Sequence, residues 1–76
     1  MKNKLKESFA EALDVSIEII NEELEYRGIV EWDSITHMFL ISQIEDDFDV
    51  SISPDDVIDM SSFSKALELI KRLKNE

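Results

Sequence analysis

Three groups of residues in this sequence could do chemistry. The first is Ser34 with the single histidine, His37, three residues further on. At that spacing on a helix the two side chains share a face, and a serine beside an imidazole is the beginning of a nucleophile–base pair. Such a pair also needs a group to orient the base and donors for an oxyanion, and neither is evident. With Ser34 at 0° and about 100° per residue, His37 falls near 300°, on the apolar side of the helix, which is the place of a structural histidine. The second group is the acidic run Asp46-Asp47-Phe48-Asp49. Its oxygens suit calcium, but an EF-hand loop needs a central glycine and this run has none, which leaves only weak, adventitious divalent binding. The third is Asp33-Ser34-Ile35. Taken alone, Asp-Ser before an apolar helix is an N-cap. There is no glycine-rich phosphate loop and no His/Cys metal cluster. With no cysteine, the chain has neither disulfides nor a thiolate ligand.

The elements that position these residues read as helices. The 76 residues include one glycine and one proline, and 43% are hydrophobic, which fits one small all-α domain, residues 1–76. Leu5, Phe9, Ala12 and Leu13 recur at helical spacing and predict a first helix over roughly residues 2–13. Residues 14–32 show no clean period. They form a long connection pinned by Val15, Ile17, Ile19, Ile20, Leu24 and Ile29, and connections of that length are often functional. A second helix spans about 34–48, capped by Asp33 or Ser34. Leu40, Ile41, Ile44 and Phe48 form its core stripe, while Ile35 and Phe39 fall on the outward face beside Ser42 and Asp46. Ser53-Pro54-Asp55-Asp56 opens a short third helix over about 54–59, with Ser53 as cap, Pro54 at the first position and Asp56 closing a capping-box-like pattern. Ser61 or Ser62 starts the last helix, with Phe63, Ala66, Leu67, Ile70 and Leu73 inward. Lys71, Arg72 and Lys74 lie at its C-terminal end, where the helix dipole favours cations. The expected fold is a four-helix bundle with a short third helix and a long connection between helices 1 and 2.

Charge narrows the partners. The net charge is −10, the wrong sign for nucleic acid or an anionic lipid surface. Residues 28–64 hold nine acids and no lysine or arginine. That stretch is either a solvated surface that keeps a small protein in solution or a docking face for basic partners. No apolar run approaches the roughly 20 residues that span a bilayer. The N-terminus is basic but lacks the apolar stretch of a signal peptide, so the expected compartment is the cytosol and the expected state a monomer.

The ensemble of Asp33-Ser34-Ile35, an apolar helix, Glu45-Asp46-Asp47-Phe48-Asp49, Ile52 and the Ser53-Pro54-Asp55-Asp56 helix start resembles the acyl carrier protein family over essentially the whole chain. The family opens its second helix with Asp-Ser-Leu, and the serine carries 4'-phosphopantetheine. The resemblance implies that Ser34 is the attachment residue and that the arm's thiol holds acyl groups as thioesters, with no catalysis by the carrier itself. It implies a phosphopantetheinyl transferase, an acyl-loading ligase or transferase and downstream enzymes as partners. Asp33, Ile35, Glu45 and Asp46 then fall at partner-recognition positions, and Met38, Ile41, Ile44, Met60, Ala66 and Leu67 look like residues that line the acyl cleft.

The departures are as informative. Ile35 replaces the usual leucine, and Thr36 and Phe39 stand where bacterial fatty-acid carriers commonly have acids. The outward Phe39 trades charge for an apolar contact. Trp32 precedes the motif, and Gly28 lies further upstream than the family's loop glycine. These differences suit a specialised carrier in fatty-acid, polyketide or other biosynthesis rather than the housekeeping fatty-acid one. A peptidyl or aminoacyl carrier and an unmodified acidic interaction module are the alternatives.

Overall fold

The computed structural model describes residues 1–75. In order, the elements are α1 (Lys2–Leu13), a single 3₁₀ turn (Ile17–Ile19), α2 (Ser34–Phe48), the short α3 (Pro54–Asp59) and α4 (Phe63–Lys74). Among the described residues there is no strand, only an isolated antiparallel bridge between Glu25 and Ser62. The fold is the all-helical, acyl-carrier-like bundle expected from the sequence.

Local chemistry sets the helix boundaries. α1 and α2 end at Asp14 and Asp49, both in the left-handed conformation with φ of 57° and 54°, a role that short polar side chains tolerate. Pro54 occupies the first turn of α3, where a missing N–H costs nothing. Ser53 caps that helix by accepting from the Asp56 N–H. The reciprocal half of a capping box is absent: the Asp56 carboxylate accepts from the Ser53 hydroxyl and from Arg72 of α4 instead. Ser62, not Ser61, caps α4.

The core joins Leu5, Phe9 and Leu13 of α1 to Leu40, Ile41, Ile44 and Phe48 of α2 and to Phe63, Ala66, Leu69 and Ile70 of α4. Burial of this set supplies the main drive to fold. Leu69 replaces Leu73 in the inward set. Leu73 lies in the last turn of α4 and is 37% exposed, whereas Leu69 faces α3 and is 7% exposed. Ser8 is a buried polar residue on the α1–α2 seam, and its hydroxyl donates to Asp47 at 2.5 Å.

Of the side chains expected to pin the long connection, Ile20 and Leu24 are buried, and Val15 and Ile29 pack partly buried against the core. Ile17 and Ile19, in the single 3₁₀ turn, stay exposed, so backbone contacts do part of the fixing. Tyr26 N–H donates to Ser61 O at 2.8 Å and Phe63 N–H to Leu24 O at 2.9 Å, so the segment lies against the entry to α4. Arg27 takes the left-handed conformation at φ 65°. Gly28 makes the close approach that follows: its N–H donates to Glu25 O at 2.7 Å, and a Cβ there would sit 2.8 Å from that same oxygen.

Candidate functional site

Asp33 is the cap of α2. Its carboxylate accepts from the Ile35 and Thr36 N–H groups, both at 3.0 Å. Thr36 Oγ1 closes the box by accepting from the Asp33 N–H at 2.9 Å, and it donates to Glu31 O at 2.6 Å. The Thr36 N–H above all, with the Ile35 N–H and the Arg27 charge, holds the Asp33 carboxyl below the usual aspartate range.

Because Asp33 does the capping, Ser34 is released from it. Ser34 is the first residue of α2 and is exposed, and among the described residues no hydrogen bond holds its hydroxyl. A primary hydroxyl at a helix N-terminus stands where the dipole favours an anion. The free hydroxyl and this local potential fit a phosphodiester. Met38 follows Ser34 by one turn and is 54% exposed, so an apolar surface begins directly below the serine. Ile35 and Phe39 are exposed too, on the outward face.

Behind the serine, Trp32 is wholly buried. Its ring meets Phe9 edge-on at 5.2 Å and Tyr26 at 6.0 Å between centroids. Its indole N–H donates to His37 Nδ1 at 3.0 Å, and His37 Nε2 lies 2.9 Å from Val57 O in α3. Both nitrogens of His37 are thus engaged within the fold, and it makes no contact with Ser34 that would serve a nucleophile–base pair.

The residues singled out from the sequence separate into groups. Ile41, Ile44, Met60 and Ala66 are buried together in the core, with Leu67 packed partly buried against it, while Met38 stays at the surface. Asp46 is exposed. Glu45 is partly committed, since its Oε2 accepts from the Ile52 N–H at 2.8 Å. Between α3 and α4 runs an open groove of about 450 Å³. Met60 and Leu69 line it, and Arg72 reaches from α4 to Asp56 on α3 at 2.8 Å. That guanidinium, more than the Ser53 hydroxyl, holds the Asp56 carboxyl below its ordinary range. Among the described residues no cluster of His, Cys, Asp or Glu is arranged to hold a metal ion, and no helix is long and apolar enough to cross a membrane.

Sequence reasoning missed the burial of Trp32, the capping role of Thr36 and the exposure of Val30 and Ile58, at 87% and 78%. The one available signal was a tryptophan directly before a cap, since a large aromatic in a polar loop anchors that loop to a core.

The family model for the phosphopantetheine attachment site matches residues 3–75. The chain belongs to this family. It is similar to an acyl carrier protein of Lactobacillus johnsonii (strain CNCM I-12250 / La1 / NCC 533), at 27% identity over 73 residues that cover 96% of this chain and 91% of the relative. The protein is therefore a carrier of the acyl carrier protein family, and a covalently attached phosphopantetheine is its prosthetic group.

Proposed function

We propose that Ser34 is the attachment residue and that residues 1–76 form one carrier domain, a monomeric, non-catalytic acyl carrier in the cytosol that serves a specialised biosynthetic pathway. The observation that carries this reading is the division of labour at the start of α2: Asp33 caps, and Ser34 is left exposed and free. When attached, the arm supplies the thiol on which an acyl group is held as a thioester, a group that a chain without cysteine cannot offer.

The chain's own residues then have separate tasks. The α2 N-terminus offsets the negative charge of a phosphodiester on Ser34. The serine needs no activated hydroxyl, because the phosphopantetheinyl transferase brings base and metal. Asp33 and Ile35 flank it as recognition residues, and Phe39, Glu45 and Asp46 extend that face along α2. The acids steer basic partners to it, giving fast, salt-sensitive encounters that still release. The exposed Ile35 and Phe39 add apolar contact that a purely acidic face lacks. Met38, Ile41, Ile44, Met60, Ala66 and Leu67 run from below Ser34 into the core and line the path for an apolar cargo. An acyl-loading ligase or transferase and the downstream enzymes are the remaining partners.

Intact mass after incubation with coenzyme A, Mg²⁺ and a phosphopantetheinyl transferase tests this reading. The parent gains one phosphopantetheine and Ser34→Ala gains none. A folded parent that gains nothing, also with a transferase from the same source, would make the chain an acidic interaction module instead.

A further inference from the structure

α3 is the least anchored helix of the bundle. It has six residues and buries none of them. Besides the half-buried Val57, two polar tethers hold it: the Arg72–Asp56 pair on its α4 side and the His37–Val57 contact on its α2 side. The first is exposed, and such pairs contribute little.

The second tether is better built. An indole N–H can only donate. Trp32 therefore makes His37 Nδ1 an acceptor, which places the ring's proton on Nε2 and aims it at Val57 O. The two ring planes lie 21° from parallel, with centroids 6.0 Å apart. Trp32 is immobilised in the core. Val57 O belongs to the last turn of α3, where carbonyls lack helical partners; the neighbouring Asp56 O is already taken by the Met60 N–H.

We propose that His37 is a positioning residue: Trp32 fixes its tautomer, and it latches α3 against α2 on the side where the path from Ser34 enters the core. The inference rests on the carrier reading for its purpose, which is to restrain α3 against opening to an apolar cargo. The latch itself exists in the unmodified protein and is tested there.

Two conservative variants divide the relay. In His37→Asn the amide oxygen replaces Nδ1 and still accepts from the indole, but the side chain is too short to reach Val57. In His37→Gln the amide nitrogen replaces Nε2 and can still donate to Val57 O. Amide hydrogen exchange at Val57 and Met60 should quicken roughly tenfold in His37→Asn and stay within about threefold of the parent in His37→Gln and in Arg72→Gln. Far-UV circular dichroism and its thermal melt report whether each variant is folded. In the parent, long-range ¹H–¹⁵N correlation should find the ring proton on Nε2. A proton on Nδ1, or α3 exchange in a folded His37→Asn equal to that of the parent, overturns the latch. With an octanoyl thioester on the arm, His37→Asn should also resist hydroxylamine longer than the parent, because α3 yields more readily to the chain. Equal or faster cleavage overturns the link to cargo. Failure of the arm to attach would strike the carrier reading and leave the exchange result standing.

Discussion

Trp32 and Phe39 bracket Ser34, and their opposite burial predicts opposite responses to substitution. Trp32 is wholly buried and donates to His37, while Phe39 is 60% exposed. Trp32→Phe keeps an aromatic ring but removes the indole N–H and leaves a void. A ring smaller by roughly 40 Å³ costs about 1 kcal/mol at the usual dependence on cavity volume. Losing the indole–imidazole hydrogen bond costs about 1 kcal/mol more. For 76 residues, an unfolding entropy of about 2.1 cal/mol/K per residue makes each 1 kcal/mol worth about 6 °C. Trp32→Phe should therefore lower Tm by about 12 °C, whereas Phe39→Ala should stay within about 3 °C, the range of surface substitutions. Circular dichroism melts of parent and both variants at one pH and salt decide the matter. Comparable losses for both, or a shift under about 3 °C for Trp32→Phe, would refute the assignment of Trp32 to the structural side of Ser34 and Phe39 to the contact side.

Two further outcomes follow from the loop and from the capped carboxylates. Gly28→Ala drives a Cβ against the backbone oxygen of Glu25, 2.8 Å away. The loop has to shift, and a loss of about 1–3 kcal/mol in urea unfolding is expected; unchanged stability would show that the turn is not held as described. Asp56 has a native pKa below its unfolded value of about 3.9, as does Asp33. Its native form thus binds the proton less readily than its unfolded form, so its charge stabilises the fold above that pH. The contribution is lost as pH falls through the native value. The urea midpoint of the parent should exceed that of Asp56→Asn at pH 6, with the gap closing as the carboxylate protonates. The comparison cancels the relief of self-repulsion that acid brings to a chain of charge −10. A gap that persists unchanged to pH 2 would count against the Arg72–Asp56 pair as its source.

How much of this was legible depended on whether a feature repeats along the chain or is made across it. The bounds of α2 and α3 and the core stripe Leu40, Ile41, Ile44 and Phe48 follow from period and caps, because those signals lie within one element. The exchange of Leu69 for Leu73 was not legible, since both lie near the apolar face of α4 and only the position of α3 decides between them. Ser8 is invisible for the same reason: its burial depends on Asp47, 39 residues away. The site divides along the same line. Asp33-Ser34 and the outward Ile35 and Phe39 could be read, but not the Trp32–His37–Val57 relay, because hydrogen bonding between a loop tryptophan and two helices leaves no period.

The departures from the carrier pattern now separate by physical role. Thr36 stands where an acid is common in bacterial fatty-acid carriers, yet it does structural work that a carboxylate could not fully repeat. Its one hydroxyl accepts from the Asp33 N–H and donates to Glu31 O, whereas an ionised carboxylate can only accept. It ties the residue before Trp32 to the helix that Ser34 begins. Phe39, one helical step from the Ser34–Met38 line, is exposed and makes no such tie. One substitution therefore stiffens the backbone around Ser34, and the other changes the surface beside it from charged to apolar. A specialised partner set needs only the second change. On the proposed reading of Ser34 as the attachment residue, the first keeps the frame around that serine rigid.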